Sequence, residues 1–228
     1  MLKLSSTDIM DFSMVPFGQG YYDTPDSVCG AGDDSSYVWG AYWRGYNLKQ
    51  RECFDVKCGV HAPDPRPASC FTGTAHCQHG GAECAVNALQ ACSMNLTGFE
   101  WKRYVPFAVC VEESYNRIQA AENYAVLNAT VKACAQSVDF GADEVLECFY
   151  TKKDYWLEEM AKRTIPHKTV PYVRLKNNTG EWFRLKISEK GVADDILVQA
   201  VCDAWVFNGG IAPVGCSTTS NTIQVITA

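Results

Sequence analysis

Residues 77–92 read CQHGGAECAVNALQAC. Three cysteines, one histidine, one glutamate and one asparagine fall within sixteen positions. Such a stretch is a metal site, a redox site or a folding staple. From Glu83 onward the spacing is helical and puts Cys84, Ala88 and Cys92 on one face. Eight residues of helix separate Cys84 from Cys92 by about 12 Å along the axis, beyond the roughly 7 Å that disulfide Cα atoms tolerate. These two cannot bond to each other, so each needs a partner elsewhere and the helix becomes an anchor. A zinc reading would use His76, Cys77, His79 and Cys84, but structural zinc sites show paired short spacings at two places and only one is present. A redox centre needs two thiols close in sequence, C-x-x-C being the usual form. No two cysteines of this chain stand three apart; Cys53 and Cys58 come nearest. The structural staple is therefore the favoured reading, with no metal and no cofactor. In that reading His79 ties a turn through its ring nitrogens, and Glu83 serves the helix dipole and cap.

The rest of the composition sets the compartment. The chain has 228 residues, a net charge of −6 and twelve cysteines. A chain this long buries enough surface to have a core without crosslinks, so an even set of twelve cysteines points to an oxidising compartment. Sequons at Asn95, Asn128 and Asn177 agree, each with Thr two residues on. An acidic chain with no run of Lys or Arg repels phosphate backbones, which excludes nucleic acid as an expected partner. No apolar stretch reaches the roughly 18 residues of a membrane span. The first residues, MLKLSSTDIMDF, lack the apolar core of a signal peptide. A longer precursor is the expectation, with Met1 internal to it.

Along the chain, residues 9–16 alternate loosely and predict a strand. Residues 17–76 are rich in Gly, Asp, Ser and aromatics with no sustained period, a cysteine-rich excursion stapled by Cys29, Cys53, Cys58 and Cys70, the last with a possible partner outside it. Residues 83–163 predict a helical block: helices over 104–118 (Pro106 near the first turn) and 118–136, then two shorter ones over 142–150 and 154–163. Runs at 170–175 and 181–187 flank KNNTG and predict a hairpin. Apolar residues at 192, 196, 197, 200, 201 and 205 predict a last helix. Gly209, Gly210 and Pro213 then turn the chain back, which predicts a Cys202–Cys216 bond, although twelve cysteines allow many connectivities.

The opening stretch resembles, position for position, the signature C-Q-H-G-x-x-E-C-x-x-N-x-x-x-x-C of the gamma-interferon-inducible lysosomal thiol reductases. Cys77, Gln78, His79, Gly80, Glu83, Cys84, Asn87 and Cys92 all match. MVPFGQG resembles the family's V-P-Y-G-N-A, with Phe17 and Gln19 as departures, and HKTVPYVRLKN resembles its proline loop. Cys110, Cys134 and Cys148 fall where its helical block carries cysteines, and Cys202 and Cys216 resemble its C-terminal pair.

The resemblance implies an α/β, thioredoxin-like fold with a helical insertion. The first strand and the helix that carries the reactive C-x-x-C are missing from these residues. It divides the chain into an incomplete thioredoxin-like core (1–16 and 166–228), the excursion (17–76), and the signature with the helical insertion (77–165). It implies an enzyme that reduces disulfides of protein substrates in the lysosomal or endosomal lumen, or one that is secreted. Because the reactive pair is absent, no catalytic residue is assigned and the chain as written is expected to be inactive. Val170 and Pro171 are the substrate-binding candidates, Pro171 at the position of the thioredoxin cis-proline. The rival reading is a secreted, disulfide-stabilised binding protein on the same scaffold.

Overall fold

The computed structural model describes residues 4, 6–30, 48–60, 62, 65–121, 123–168, 170, 172–176, 180–185 and 194–216. They belong to two units, one of residues 13–168 and one of residues 1–12 with 169–228. The architecture is α/β, mostly helical, with two small sheets among the described residues and six disulfides. Among the described residues no helix is long and apolar enough to cross a membrane.

The larger unit begins with β1 (Tyr21–Tyr22), α1 (Asp26–Cys29) and α2 (Leu48–Cys58), followed by β2 (Ala75–His76). β1 and β2 pair antiparallel, Tyr21 opposite His76 and Tyr22 opposite Ala75. Five helices follow: α3 (Gly81–Leu96), α4 (Trp101–Glu113), α5 (Tyr115–Ala121), α6 (Tyr124–Ser137) and α7 (Ala142–Arg163). All of α3 except Glu83, Asn95 and Leu96 is buried. Ala82, Ala85, Ala88 and Ala91 keep its girth small, and α7 and α4 both pack against it. Disulfides fix this arrangement: Cys92–Cys148 joins α3 to α7, and Cys110–Cys134 joins α4 to α6.

The excursion is more regular than its sequence predicts. α2 forms within it, and its Arg51, Phe54 and Cys58 are buried. Cys29–Cys53 and Cys58–Cys70 close it internally, so Cys70 has no partner outside. Its Phe17, Tyr22, Phe54 and Cys70 lie in the same apolar core as α3 and α7. Tyr22, Phe54 and Phe71 pack ring to ring at 5.7–6.2 Å between centroids, the offset and edge-on contacts that aromatic quadrupoles favour.

Three other expectations change. Residues 9–16 form no strand; Met14 donates its backbone N–H to the Tyr104 hydroxyl at 3.3 Å and the chain turns at 16–19. The helix expected over 104–118 starts three residues earlier and ends at Glu113, so Pro106 lies inside α4, and the next expected helix is split between α5 and α6. Asn123 caps α6 by accepting N–H bonds from Ala125 and Val126. The two short helices at the end of the block are one, α7, because TKK at its middle contains no breaker and Thr151 bonds back to the Glu147 carbonyl.

The smaller unit holds β3 (Val173–Lys176), β4 (Trp182–Leu185) and α8 (Asp194–Phe207). β3 and β4 pair antiparallel with Arg174 opposite Arg184. Leu175 packs with Leu4, Val198, Val201 and Cys202. Beyond α8, Gly209 takes a φ of 85°, the left-handed turn that glycine permits, and Cys202 is bonded to Cys216.

Loop length ranks the crosslinks. Cys92 and Cys148 are 56 residues apart, Cys77 and Cys84 only seven. Replacing Cys92 and Cys148 by alanine should lower the unfolding free energy by about 4 kcal/mol, and the same change at Cys77 and Cys84 by about 2 kcal/mol. Denaturant titration of the two double variants checks this order.

Candidate functional site

The signature runs from the end of β2 into the first turn of α3. The turn is closed by a Gly80 N–H to Cys77 C=O bond of 3.0 Å. Gly80 has φ 85° and sits at the N-cap of α3. A residue with a Cβ would be strained there, and glycine contributes no side-chain cap. Glu83, in the first turn, does the capping instead. Its Oε2 accepts the backbone N–H of His79 at 2.6 Å and lies 2.9 Å from the His79 Nδ1. With the carboxylate ionised, Nδ1 carries the proton and donates it. His79 is thus a tie across the turn. Gln119 of α5 donates to the His79 carbonyl at 3.3 Å, and the Tyr115 ring meets the imidazole edge-on at 6.3 Å. The Tyr115 hydroxyl is buried without a partner. Burial, then the charges of Glu83 and Glu112, push its ionisation well above the usual tyrosine range.

The sulfurs complete the knot. Cys77 is bonded to Cys84, and Asn87 donates its side-chain N–H weakly to the Cys77 Sγ at 3.9 Å. The Cys84 Sγ lies 3.7 Å from the Ala75 carbonyl oxygen. Both cysteines are less than 5% exposed. Cys84 therefore finds its partner in the adjoining loop, and only Cys92 reaches across to another helix. Gln78 is half-buried. His76 is buried, with Nε2 2.8 Å from Asp23 and its ring stacked on Tyr21 at 5.0 Å. The bond between Cys77 and Cys84 leaves no thiolate there for a metal, and the described residues contain no group of three metal-ligating side chains.

Beside this knot runs a cleft of about 510 Å³. Cys84 and Ala85 of α3, Tyr22, Phe71 and Phe149 line one part; Asp154 and Glu158 of α7 line another. The Tyr22 hydroxyl is buried and unpartnered, and burial, then Glu158 and Asp154, push its ionisation upward.

A second set of contacts holds the MVPFGQG segment. Gln19 donates its amide N–H to the Lys168 carbonyl at 2.7 Å, and Arg51 Nε donates to the Gln19 carbonyl at 3.2 Å. Arg51 also pairs with Asp55 at 2.5 Å, one turn along α2. Sequence reasoning did not find Arg51, Asp55, Tyr115 or Gln119; none stands in a recognisable motif. Val170 is exposed, and Pro171 lies outside the described residues. Asn95 and Asn128 are half-buried, and the Asn128 Oδ1 accepts the Tyr150 hydroxyl at 2.8 Å; Asn177 lies outside the described residues.

Residues 60–138 match the family model described as gamma interferon inducible lysosomal thiol reductase. The matched stretch is about a third of the chain and contains the whole signature and α3 to α6. No curated protein and no solved structure matches.

Asp55 gives the unit a pH response. Burial, opposed by Arg51 and helped by Glu52, raises its carboxyl from 3.8 to about 6. The folded state then binds this proton more tightly than the unfolded state. The contribution is complete below the unfolded value near pH 4 and is lost as pH rises through about 6. Asp55→Asn should remove on the order of 2 kcal/mol of the stability difference between pH 4 and pH 7. Thermal melts of both proteins across that range measure it.

Proposed function

We propose that this chain, whose residues 60–138 match the gamma interferon inducible lysosomal thiol reductase family model, serves thiol–disulfide exchange on polypeptides in an acidic lumen. In this reading the 228 residues supply the locked scaffold and the surfaces that meet the substrate, and the reacting dithiol is not among them. One observation carries the second half: all twelve cysteines are consumed in six disulfides and none is free.

The chemistry follows from that count. Exchange begins when a thiolate attacks one sulfur of a substrate disulfide and expels the other as a thiolate; a second thiol then resolves the mixed disulfide. A chain whose cysteines are all paired, with no C-x-x-C that a reductant could open into a dithiol, has no first nucleophile of this kind. His79 does not replace one, since its Nδ1 is tied to Glu83 and an imidazole has no sulfur with which to form a mixed disulfide.

Substrate proteins carrying disulfides are the proposed partners, met through Val170 and Pro171. Lysosomal or secreted residence is proposed with the family chemistry, and Asn95, Asn128 and Asn177 as glycan acceptors. The full set of paired cysteines also suits the second reading, a binding protein that keeps the scaffold without the chemistry.

The purified oxidised chain should give no turnover above buffer with a protein disulfide and a small-molecule thiol at acidic pH, followed by the appearance of substrate thiols. Catalytic turnover would overturn the assignment of these residues as scaffold.

A further inference from the structure

The β3–β4 hairpin carries a feature the family chemistry does not use. Its two faces differ. Val173 and Leu175 alternate with Tyr172, Arg174 and Lys176 along β3, and Leu175 packs toward the core of the smaller unit. Register places Arg174 opposite Arg184 and Lys176 opposite Trp182. Side chains of directly paired residues share a face, so Tyr172, Arg174, Lys176, Trp182 and Arg184 form one strip on the side away from Leu175. Lys176, Trp182 and Arg184 are exposed.

Two arginines directly across a ladder repel each other and destabilise the pair. Here both are held by aromatic rings on the diagonal. The Arg174 guanidinium lies 4.4 Å from the Trp182 ring centre and the Arg184 guanidinium 5.1 Å from that of Tyr172. The Lys176 ammonium sits 5.6 Å from Trp182. A guanidinium held over a ring can still present N–H groups for bidentate binding of a carboxylate. Glu181 is the only carboxylate among the described hairpin residues.

Charge is also unevenly spread. Residues 166–190 contain Lys168, Arg174, Lys176, Arg184, Lys186 and Lys190 against Glu181 and Glu189, six minus two, or +4. The whole chain is −6, so the remainder is −6 minus 4, or −10. This stretch of sequence is thus positive on an otherwise acidic chain, and three of its cations, Arg174, Lys176 and Arg184, share the strip, which focuses attraction for anions there.

We propose that this strip docks an extended polypeptide segment bearing carboxylates at alternate positions. The spacing supports that occupant. Arg174 and Lys176 are two residues apart on one strand, about 6.6 Å, and carboxylates on alternate residues of an extended chain repeat at the same distance. The choice of a polypeptide rests on the reading of this protein as acting on polypeptides, and the strip extends that reading to acidic segments.

The test uses a fluorescein-labelled peptide alternating glutamate and threonine, with the glutamine–threonine peptide as control, read by fluorescence anisotropy with the full chain. The glutamate peptide should bind at least tenfold more tightly than the glutamine peptide, and its affinity should fall steeply with salt. The double variant R174Q/R184Q should lose at least tenfold, with an unchanged thermal midpoint showing that it folds. R184K, which keeps the charge without the flat fork, should lose part of the affinity. Equal binding of the two peptides, no loss in R174Q/R184Q, or binding of a heparin oligosaccharide with none of the glutamate peptide would each overturn the proposal. The peptide has no cysteine, so a failure here condemns the strip alone, and the turnover assay judges the family chemistry separately.

Discussion

The structure of the larger unit depends on one helix being buried on nearly every side. A helix with an apolar stripe can lie on a surface; α3 cannot, because its polar residues are buried as well. Gln90 and Ser93 must then find partners inside. Gln90 donates to Glu112 at 2.6 Å, and Ser93 donates to the Gln90 carbonyl at 2.7 Å. The helix is made habitable by small side chains, and its two ends are held by sulfur. At its start Cys84 is bound to the preceding loop, and one turn before its last residues Cys92 is bound to α7. The turn at Gly80 and the His79–Glu83 tie set the angle at which the helix enters. The signature residues are thus conditions for seating α3.

That role explains what the sequence made legible. Eight residues at signature spacing identify the segment, and helical geometry alone separates Cys84 from Cys92 as bonding partners. It does not say where Cys84 goes. The choice of Cys77 depends on the turn at Gly80, which folds the loop back within disulfide range at a Cα separation of 5.5 Å. The block of helices is readable from its periodicity, but its divisions are not. Lys152 and Lys153 look like a gap between two apolar stripes, yet lysine is a good helix former and α7 runs through. α2 was missed for the opposite reason. Its buried face contains Gln50 and Arg51, which an apolar-period reading discards; Gln50 donates to the Gly30 carbonyl, and Arg51 donates to the Gln19 carbonyl and pairs with Asp55.

The strand expected at residues 9–16 failed on a tertiary condition. Alternation proposes a strand, but a strand needs a neighbour for its backbone. Met14 finds a tyrosine hydroxyl instead. In the smaller unit β3 and β4 met that condition by pairing with each other. Its cationic strip was nonetheless invisible as a charge run. No contiguous stretch of Lys and Arg exists; pairing two strands in register assembles one.

The proposed thiol–disulfide function requires the chain's own disulfides to stay closed, and burial is the means. Attack on a disulfide requires access to a sulfur along the bond axis. Cys58, Cys70, Cys77, Cys84, Cys92 and Cys148 are all buried, and Cys134 and Cys202 shield one end of the bonds they form. Cys29 and Cys53 differ, for both are only half-buried, and they link α1 to α2 at the rim of the excursion. Access therefore singles out Cys29–Cys53 as the bond a solvent thiol reaches most readily, while Cys58–Cys70 and both bonds of α3 are covered. The helix on which the larger unit is built is crosslinked only through sulfurs that its own packing shields.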